Sequence, residues 1–390
     1  MKILNLRRCA FALTCVLPLH TWAATNPDQV RAIVDQAIRP VMEEFDVPGI
    51  AIAVTIDGKP MFFNYGLASR EDKTPVNEHT LFELGSISKT FTATLAAQAV
   101  DQGKLSLADH PSKYLPALRG YAIDKATVLN LGTYTAGGLP LQLPDEVEDD
   151  AQLIHYYQHW KPAAAPGKLR EYSNSSLGLF GRVTALAMHQ DFTEVMQHQL
   201  FPQLGLSGTY MLVPESAMPD YAWGYNYKTN KPGRVRPDQV LAPETYGVKS
   251  SAADMIRYVQ LNIEPTVLDA PMRRAIEGTH IGYFKSGELI QGLGWEQYPW
   301  PISEERLMAG NSEKMIWDGN PAQLLAKPQL PVGPTLFDKT GSTSNFGAYV
   351  AFVPKQRIGV VILANRNYPI PARIKVGYAI LGQLAKLHAE

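Results

Sequence analysis

Three short motifs hold side chains suited to covalent catalysis. Ser86-Ile87-Ser88-Lys89 puts a hydroxyl and an amine three residues apart at the predicted start of a helix, where positions i and i+3 share a face. A serine hydroxyl needs a base to become a nucleophile, and a lysine one turn away can be that base or lower a neighbour's pKa. The positive end of the helix also favours developing negative charge. Tyr172-Ser173-Asn174 supplies a phenol. Tyrosine titrates near ~10 and is a poor base at neutral pH, but two nearby ammonium groups would favour its phenolate. Lys339-Thr340-Gly341, just before a predicted strand hairpin, adds a positive charge, a hydroxyl and a glycine that lets a substrate approach the backbone.

Each pattern alone is common. Any S-x-x-K is more often an exposed helix face than a catalytic site, and K-T-G is usually a turn. Here S-x-x-K, Y-x-N and K-T-G each occur once, in the order Ser86, Tyr172, Lys339. The first and third together mark penicillin-recognising serine enzymes.

Longer segments carry a resemblance to class C (AmpC-type) serine β-lactamases across essentially the whole mature chain. Thr80-Leu81-Phe82-Glu83-Leu84-Gly85-Ser86-Ile87-Ser88-Lys89-Thr90-Phe91-Thr92 resembles the family's nucleophile segment. Thr133-Tyr134-Thr135-Ala136-Gly137-Gly138-Leu139-Pro140-Leu141-Gln142 resembles its substrate-facing glutamine loop. Tyr221 to Tyr225, Tyr246 to Ser250 and Gly292 to Glu296 are similar too. The resemblance implies that Ser86 attacks a lactam carbonyl, Lys89 and Tyr172 share the proton work, and Lys339 holds charge on Tyr172 and attracts the substrate carboxylate. It implies an oxyanion hole from the backbone N–H groups of Ser86 and Ser342. Gln142 and Asn174 would bond the acyl-side amide, Tyr246 would form an apolar wall, and Thr340, Gly341, Thr343 and Arg373 would complete substrate binding. Cephalosporins are the expected preferred substrates, with no cofactor and no metal.

Two positions depart from the family's usual pattern. Asp338 stands where histidine is common, and would weaken the field of Lys339 if it pointed inward. Ile370 stands where asparagine often helps to bind the substrate carboxylate. Carboxylate recognition is therefore expected to lean on Thr340, Thr343 and Arg373.

The elements that must position these residues follow from apolar spacing. Val30, Ile33, Val34, Ile38, Val41 and Met42 predict a helix over 26–45, stopped by Pro48. Gly49 to Thr55 and Met61 to Tyr65 read as strands around the hairpin signal Asp57-Gly58. Phe346 to Pro354 and Ile358 to Asn365 read as a second strand pair, followed by a closing helix over 372–387. Helices are predicted over 88–102, 151–160, 176–188 and 192–200, and the proline-bearing stretch 313–334 reads as a long loop. The expected fold class is α/β (α+β): an antiparallel β-sheet flanked by helices, drawn from both chain ends, with a helical lobe inserted at about 85–200. By resemblance this is the β-lactamase/transpeptidase-like fold.

The 390 residues are 45% hydrophobic and 19% charged, ample for a large core, and a net charge of −1 gives no electrostatic case for nucleic acid. Lys2, Arg7 and Arg8, an apolar run over 9–17 and the small residues Ala23-Ala24 read as a secretory signal peptide over 1–24, leaving 25–390 as the catalytic domain. Its removal takes the charge from −1 to −4 and removes both cysteines, Cys9 and Cys15. A thiol-free mature chain fits export to the periplasm. The apolar run is too short for a membrane anchor, and a monomer is expected.

Other features have plainer readings. His155 and His159 lack a third metal ligand, the acidic run 145–150 lacks the spacing of a calcium loop, and Tyr156, Tyr157 and Trp160 suit packing. No glycine-rich nucleotide loop follows a strand. Three further functions remain open on the same scaffold: a penicillin-binding D-alanyl-D-alanine peptidase, an esterase, and a non-catalytic binding protein, the last disfavoured by three intact motifs.

Overall fold

The computed structural model describes residues 26–235 and 239–389; the predicted signal peptide and both cysteines lie outside them. The first helix, Pro27–Glu44, begins where Asn26 accepts from the Asp28 N–H and Pro27 sets the first turn. Asp57 and Gly58 both take positive φ, 51° and 76°. They turn the strand Gly49–Ile56 into Lys59–Ser69, as an Asp-Gly hairpin requires.

A ten-stranded sheet organises the molecule. Its spatial order is Gln323–Gln329, Gly282–Ser286, Leu289–Gln291, Glu296–Pro299, Thr335–Ser342, Gly347–Val353, Ile358–Ala364, Gly49–Ile56, Lys59–Ser69 and Thr74–Pro75. All neighbours run antiparallel. The chain ends meet in its middle, where Ile50 pairs with Ala364 and Ile56 with Ile358.

The strand Gly49–Ile56 is buried on both faces, and its alternation separates two cores. Ile50, Ile52 and Val54 pack with Val30, Val34 and Ile38 of the first helix and with Ile374, Ile380 and Leu384 of the last, Ile370–Ala389. Ala51 and Ala53 belong to the core on the opposite side, with Met255, Ile256 and Val259 of the helix Ala252–Ile263. Large residues thus fill the side of the terminal helices, each contributing about 1.5–3 kcal/mol on full burial. Small ones let a helix come close on the other.

The helix Ser88–Asp101 has no polar face, and Ser88 through Ala99 are all buried. A helix surrounded in this way must satisfy its hydroxyls internally. Thr90 donates to the Ile87 carbonyl (2.8 Å) and Thr92 to the Glu244 carbonyl (2.7 Å).

Some expectations need correction. The stretch 313–334 is not one long loop: it forms the short helix Glu313–Trp317 and the outermost strand Gln323–Gln329, whose pairing with Gly282–Ser286 shifts register between Leu324 and Gln329. Prolines suit such an edge, because one side of the strand needs no N–H. Lys339-Thr340-Gly341 precedes the hairpin of Gly347–Val353 and Ile358–Ala364, as expected, but it also lies inside a strand of its own, Thr335–Ser342, well within the sheet. The helix expected over 192–200 is interrupted by a wider turn at Met196–Leu200 before resuming at Phe201–Gln203. The strands over 282–299 and the helices Ala252–Ile263 and Ala270–Thr279 had no sequence expectation.

Candidate active site

Ser86 sits in the single turn Gly85–Ile87 that leads into the helix Ser88–Asp101. The Lys89 ammonium donates to Ser86 Oγ at 2.8 Å and to the Thr245 carbonyl at 3.1 Å. Two glycines bring this turn against the strand Thr335–Ser342. Gly85 has φ +53°, and a Cβ there would fall 2.4 Å from the Ser342 nitrogen. A Cβ on Gly341 would fall 2.0 Å from the Leu84 carbonyl oxygen. No larger residue allows this approach, which sets the backbone of Ser342 beside the nucleophile.

Tyr172 arrives from a third direction. Ser173, the middle residue of its motif, caps the helix Asn174–Met188 by accepting from the Ser176 N–H at 2.9 Å. The cap fixes Tyr172 just outside the helix and Asn174 at its first turn. The Tyr172 hydroxyl is buried among Ser86, Lys89 and Lys339, each of which acts on its proton equilibrium through a side-chain hydrogen bond. Lys339 Nζ lies 4.8 Å, and Lys89 Nζ 5.3 Å, from the centre of its ring.

These positions shift the proton equilibria. Burial opposes the Tyr172 phenolate, but the charges of Lys339 and Lys89 outweigh it and bring the phenol down to about 8. Burial likewise brings Lys89 down to about 8, against the attraction of Tyr172. Burial also works against the charge of Lys339, yet Glu296, 3.7 Å away, holds its ammonium above the ordinary lysine value. The same Glu296 carboxylate accepts from Arg170 at 3.2 Å. Arg170 continues to Gln291 Oε1 (2.8 Å) and the Met315 carbonyl (3.0 Å). At neutral pH the pair Tyr172 and Lys89 can take a proton from Ser86 and return it.

A cavity of about 1230 Å³ opens in front of this cluster. Gln142, Asn174, Tyr246, Thr340, Thr343 and Arg373 all line it, and Asn174 Nδ2 donates to Gln142 Oε1 at 3.1 Å. The residues expected to recognise a carboxylate differ in what they have free. Thr343 directs its hydroxyl proton to Glu83 at 2.5 Å. Arg373 is fully buried and donates to the Gly341 carbonyl (2.6 Å), Ser342 Oγ (2.8 Å), Asn367 Oδ1 (2.6 Å) and the Tyr368 carbonyl. It holds the end of the strand Thr335–Ser342 through Gly341 and Ser342. Ile370 lines the cavity as an apolar residue.

Asp338 does not point at the cavity. Its carboxyl accepts from Tyr349 (2.9 Å) and Asn311 (3.3 Å). Burial, with Glu296 nearby, raises it to about 8, which favours its neutral form and so weakens its effect on the field of Lys339. His155 and His159 pack against one another as a tilted pair, with ring centres 4.0 Å apart. Among the described residues no group of three or more His, Cys, Asp or Glu is placed to hold a metal. Asp149 caps the helix Asp150–His159.

The β-lactamase family model matches residues 34–385. A β-lactamase of Pseudomonas fluorescens is 50% identical over 355 residues, covering 91% of this chain and 99% of that one. The chain belongs to the β-lactamase family. A class C β-lactamase solved with cefoxitin superposes with a TM-score of 0.88 at 44% identity, covering 92% of this chain and 99% of the other. A Burkholderia cenocepacia protein described as D-alanine carboxypeptidase AmpC superposes with a TM-score of 0.87 at 47% identity, covering 92% and 100%. In this β-lactamase, sequence reasoning gave no role to Arg170, Glu296 or Glu83. Glu296 stands in a segment that resembles the family, but nothing local marks it as the partner of a lysine 43 positions on. The pairing appears only when the strands Glu296–Pro299 and Thr335–Ser342 lie side by side.

Proposed function

We propose that the protein is a class C serine β-lactamase that opens the β-lactam ring through an acyl-enzyme on Ser86. The observation that carries this reading is the convergence of Ser86 Oγ, the Lys89 ammonium 2.8 Å from it, and a Tyr172 flanked by two buried lysines. Ser86 Oγ attacks the lactam carbonyl as the Tyr172 and Lys89 pair accepts its proton. The carbonyl oxygen becomes an oxyanion held by the N–H groups of Ser86 and Ser342, and one such donor is worth about 3–4 kcal/mol in the transition state. The C–N bond then breaks and the nitrogen takes the proton. A water molecule, deprotonated by the same pair, attacks the ester and releases Ser86 and a ring-opened acid.

Gln142 and Asn174 bind the acyl-side amide, and Tyr246 provides a flat wall. Lys339 attracts the substrate carboxylate while Thr340 donates to it, with Gly341 giving room for the approach. Thr343 and Arg373 contribute by holding the strand that carries these groups. Cephalosporins are the preferred substrates. The basic, then apolar, start of the sequence directs export to the periplasm with cleavage after residue 24, and the mature enzyme acts as a monomer. No helix among the described residues is long and apolar enough to cross a membrane.

The structural relative described as a D-alanine carboxypeptidase makes that activity a second reading of the same nucleophile. Turnover separates the two. The mature protein is expected to hydrolyse a chromogenic cephalosporin repeatedly, and Ser86→Ala is expected to abolish turnover. Stoichiometric acylation without turnover would assign the site to the peptidase instead.

A further inference from the structure

Tyr134 follows the short helix Val128–Gly132 and is 1% exposed. It does not line the cavity, and none of the proton-transfer steps above uses it. Its backbone takes φ +60°, a left-handed conformation that a residue this bulky rarely adopts. Such a conformation persists only where the surroundings impose it. The Tyr134 N–H donates to the Leu131 carbonyl at 3.4 Å, and the hydroxyls of its two neighbours, Thr133 and Thr135, hydrogen-bond to each other at 3.0 Å. Thr133 also donates to the Leu129 carbonyl (2.7 Å), and Thr135 accepts from Asn130 Nδ2 (3.0 Å). The strained residue is clamped through both of its neighbours.

The clamp holds Tyr134 against Tyr172. The Tyr134 carbonyl accepts from the N–H of Glu171, the residue before Tyr172, at 3.0 Å. The two ring centres lie 4.9 Å apart with the planes inclined by 54°, a favourable aromatic arrangement. The Arg170 guanidinium spans both rings, 5.6 Å from the centre of Tyr134 and 5.9 Å from that of Tyr172. The charged and titratable groups around the Tyr172 phenol are Lys339, Lys89, Ser86, Glu296 and Arg170, and Tyr134 is the uncharged member of the set. Burial, with Tyr172 and Glu296 nearby, holds Tyr134 well above the ordinary tyrosine value, so it stays neutral. Its hydroxyl is buried without a hydrogen-bond partner. What Tyr134 offers Tyr172 is the contact of its ring.

We propose that Tyr134 is a positioning residue for Tyr172: its ring, clamped by a left-handed backbone, is the support that keeps the Tyr172 phenol between the ammonium groups of Lys89 and Lys339. The inference rests on the β-lactamase reading of the site. Ser173 caps the helix Asn174–Met188 and so fixes the backbone beside Tyr172, but a cap leaves the two side-chain torsions of a tyrosine unset. The two ammonium groups attract the phenolate strongly and the neutral phenol far less. A ring held in place from behind restrains Tyr172 in both protonation states. Without that support the phenol can turn away from the lysines, and the charge stabilisation it receives weakens as the distance grows.

The test compares Tyr134→Leu with Tyr134→Phe. Both keep a Cβ and so make the same demand on the left-handed backbone, but only phenylalanine keeps the ring. The readouts are kcat, KM and the acidic limb of the kcat/KM profile for one chromogenic cephalosporin. In Tyr134→Leu the limb is expected to move to higher pH by at least about 0.5 unit, as the phenol loses part of its charge stabilisation. Its kcat is expected to fall about tenfold with KM within about threefold of the parent, because Tyr134 touches no substrate. Tyr134→Phe is expected to restore kcat and to move the limb less than half as far. If Tyr134→Leu does not fold, Tyr134→Met takes its place with the same expectations. A folded variant without the ring whose limb moves less than about 0.5 unit overturns the proposal. So does a Tyr134→Phe limb displaced half as far or more, since the hydroxyl would then be the tie. A parent protein that does not hydrolyse the cephalosporin overturns the reading of the site itself, whereas an active parent with an unmoved Tyr134→Leu limb overturns this inference alone.

Discussion

The Lys339 ammonium lies 4.8 Å from the centre of the Tyr172 ring, with both side chains buried. Lys339 is the largest favourable influence on the phenolate, ahead of Lys89, and together they bring Tyr172 down to about 8. In Lys339→Ala, the acidic limb of the kcat/KM profile should therefore move to higher pH, towards the ordinary tyrosine value. The pair titrates as a unit, so the observed shift belongs to Tyr172 and Lys89 jointly. At pH 7 a loss of roughly 10²–10³ in kcat/KM is expected, the range of an impaired general base together with lost substrate attraction. An unmoved limb would show that Lys339 acts on substrate alone.

Asp338 gives stability its own pH dependence. Its folded-state pKa is raised to about 8 by burial and by Glu296. Below the ordinary aspartate value, near ~4, folded and unfolded chains are both protonated here. As the pH rises from about 4 to about 8, the unfolded chain releases this proton while the folded one keeps it, so the contribution of Asp338 to stability falls. Asp338→Asn removes the titration and keeps an acceptor for Tyr349 and Asn311. Denaturant unfolding at pH 5 and pH 8 should show a smaller loss between the two in Asp338→Asn than in the parent.

Arg373→Ala separates a structural from a substrate-binding role. Four acceptors, two of them backbone carbonyls, lose their donor when this buried guanidinium is removed. Leaving buried acceptors unsatisfied costs about 1–3 kcal/mol each before water can enter. A fall in melting temperature of several degrees is expected, with kcat and KM changing together as the strand Thr335–Ser342 relaxes. A pure rise in KM at unchanged stability would restore Arg373 as a direct contact to the substrate.

Much of this site is legible in the sequence, for physical reasons. Ser86 and Lys89 share one helical turn, and Asn174 opens the helix that Ser173 caps, so short-range rules suffice for them. The strands at the two chain ends are legible because Gly49–Ile56 and Ile358–Ala364 are continuous apolar runs between turn signals. What is hidden depends on long-range pairing. The sequence offers 37 acidic residues. Only the folded sheet selects Glu296 to sit between Arg170 and Lys339, or Glu83 to meet Thr343. The orientation of Asp338 is hidden for the same reason: its partners, Tyr349 and Asn311, come from a neighbouring strand and a helix end.

The close approach of Gly85 and Gly341 to their neighbours also has a consequence. A methyl at Gly341 would collide with the Leu84 carbonyl at 2.0 Å, a backbone atom that cannot step aside without moving the nucleophile turn. Gly341→Ala is expected to fold only with the strand displaced by about 1 Å, which the 2.0 Å contact with the Leu84 carbonyl demands, and to lose about 10²-fold in kcat because reacting atoms are displaced from alignment. Single-turnover acylation kinetics check this, and a kcat within threefold of the parent would mean that the turn and strand are more compliant than their packing indicates.

Turnover passes through a covalent ester on Ser86 that forms and then breaks. Mass spectrometry of the intact mature protein, quenched at intervals after mixing with a slowly turned-over β-lactam, reads it directly. The mass should increase by that of one whole β-lactam, or of one that has shed its leaving group. Peptide mapping should place it on Ser86, it should decay as substrate is consumed, and it should be absent in Ser86→Ala. An adduct that never decays, an adduct on another residue, or hydrolysis that persists in Ser86→Ala would contradict it.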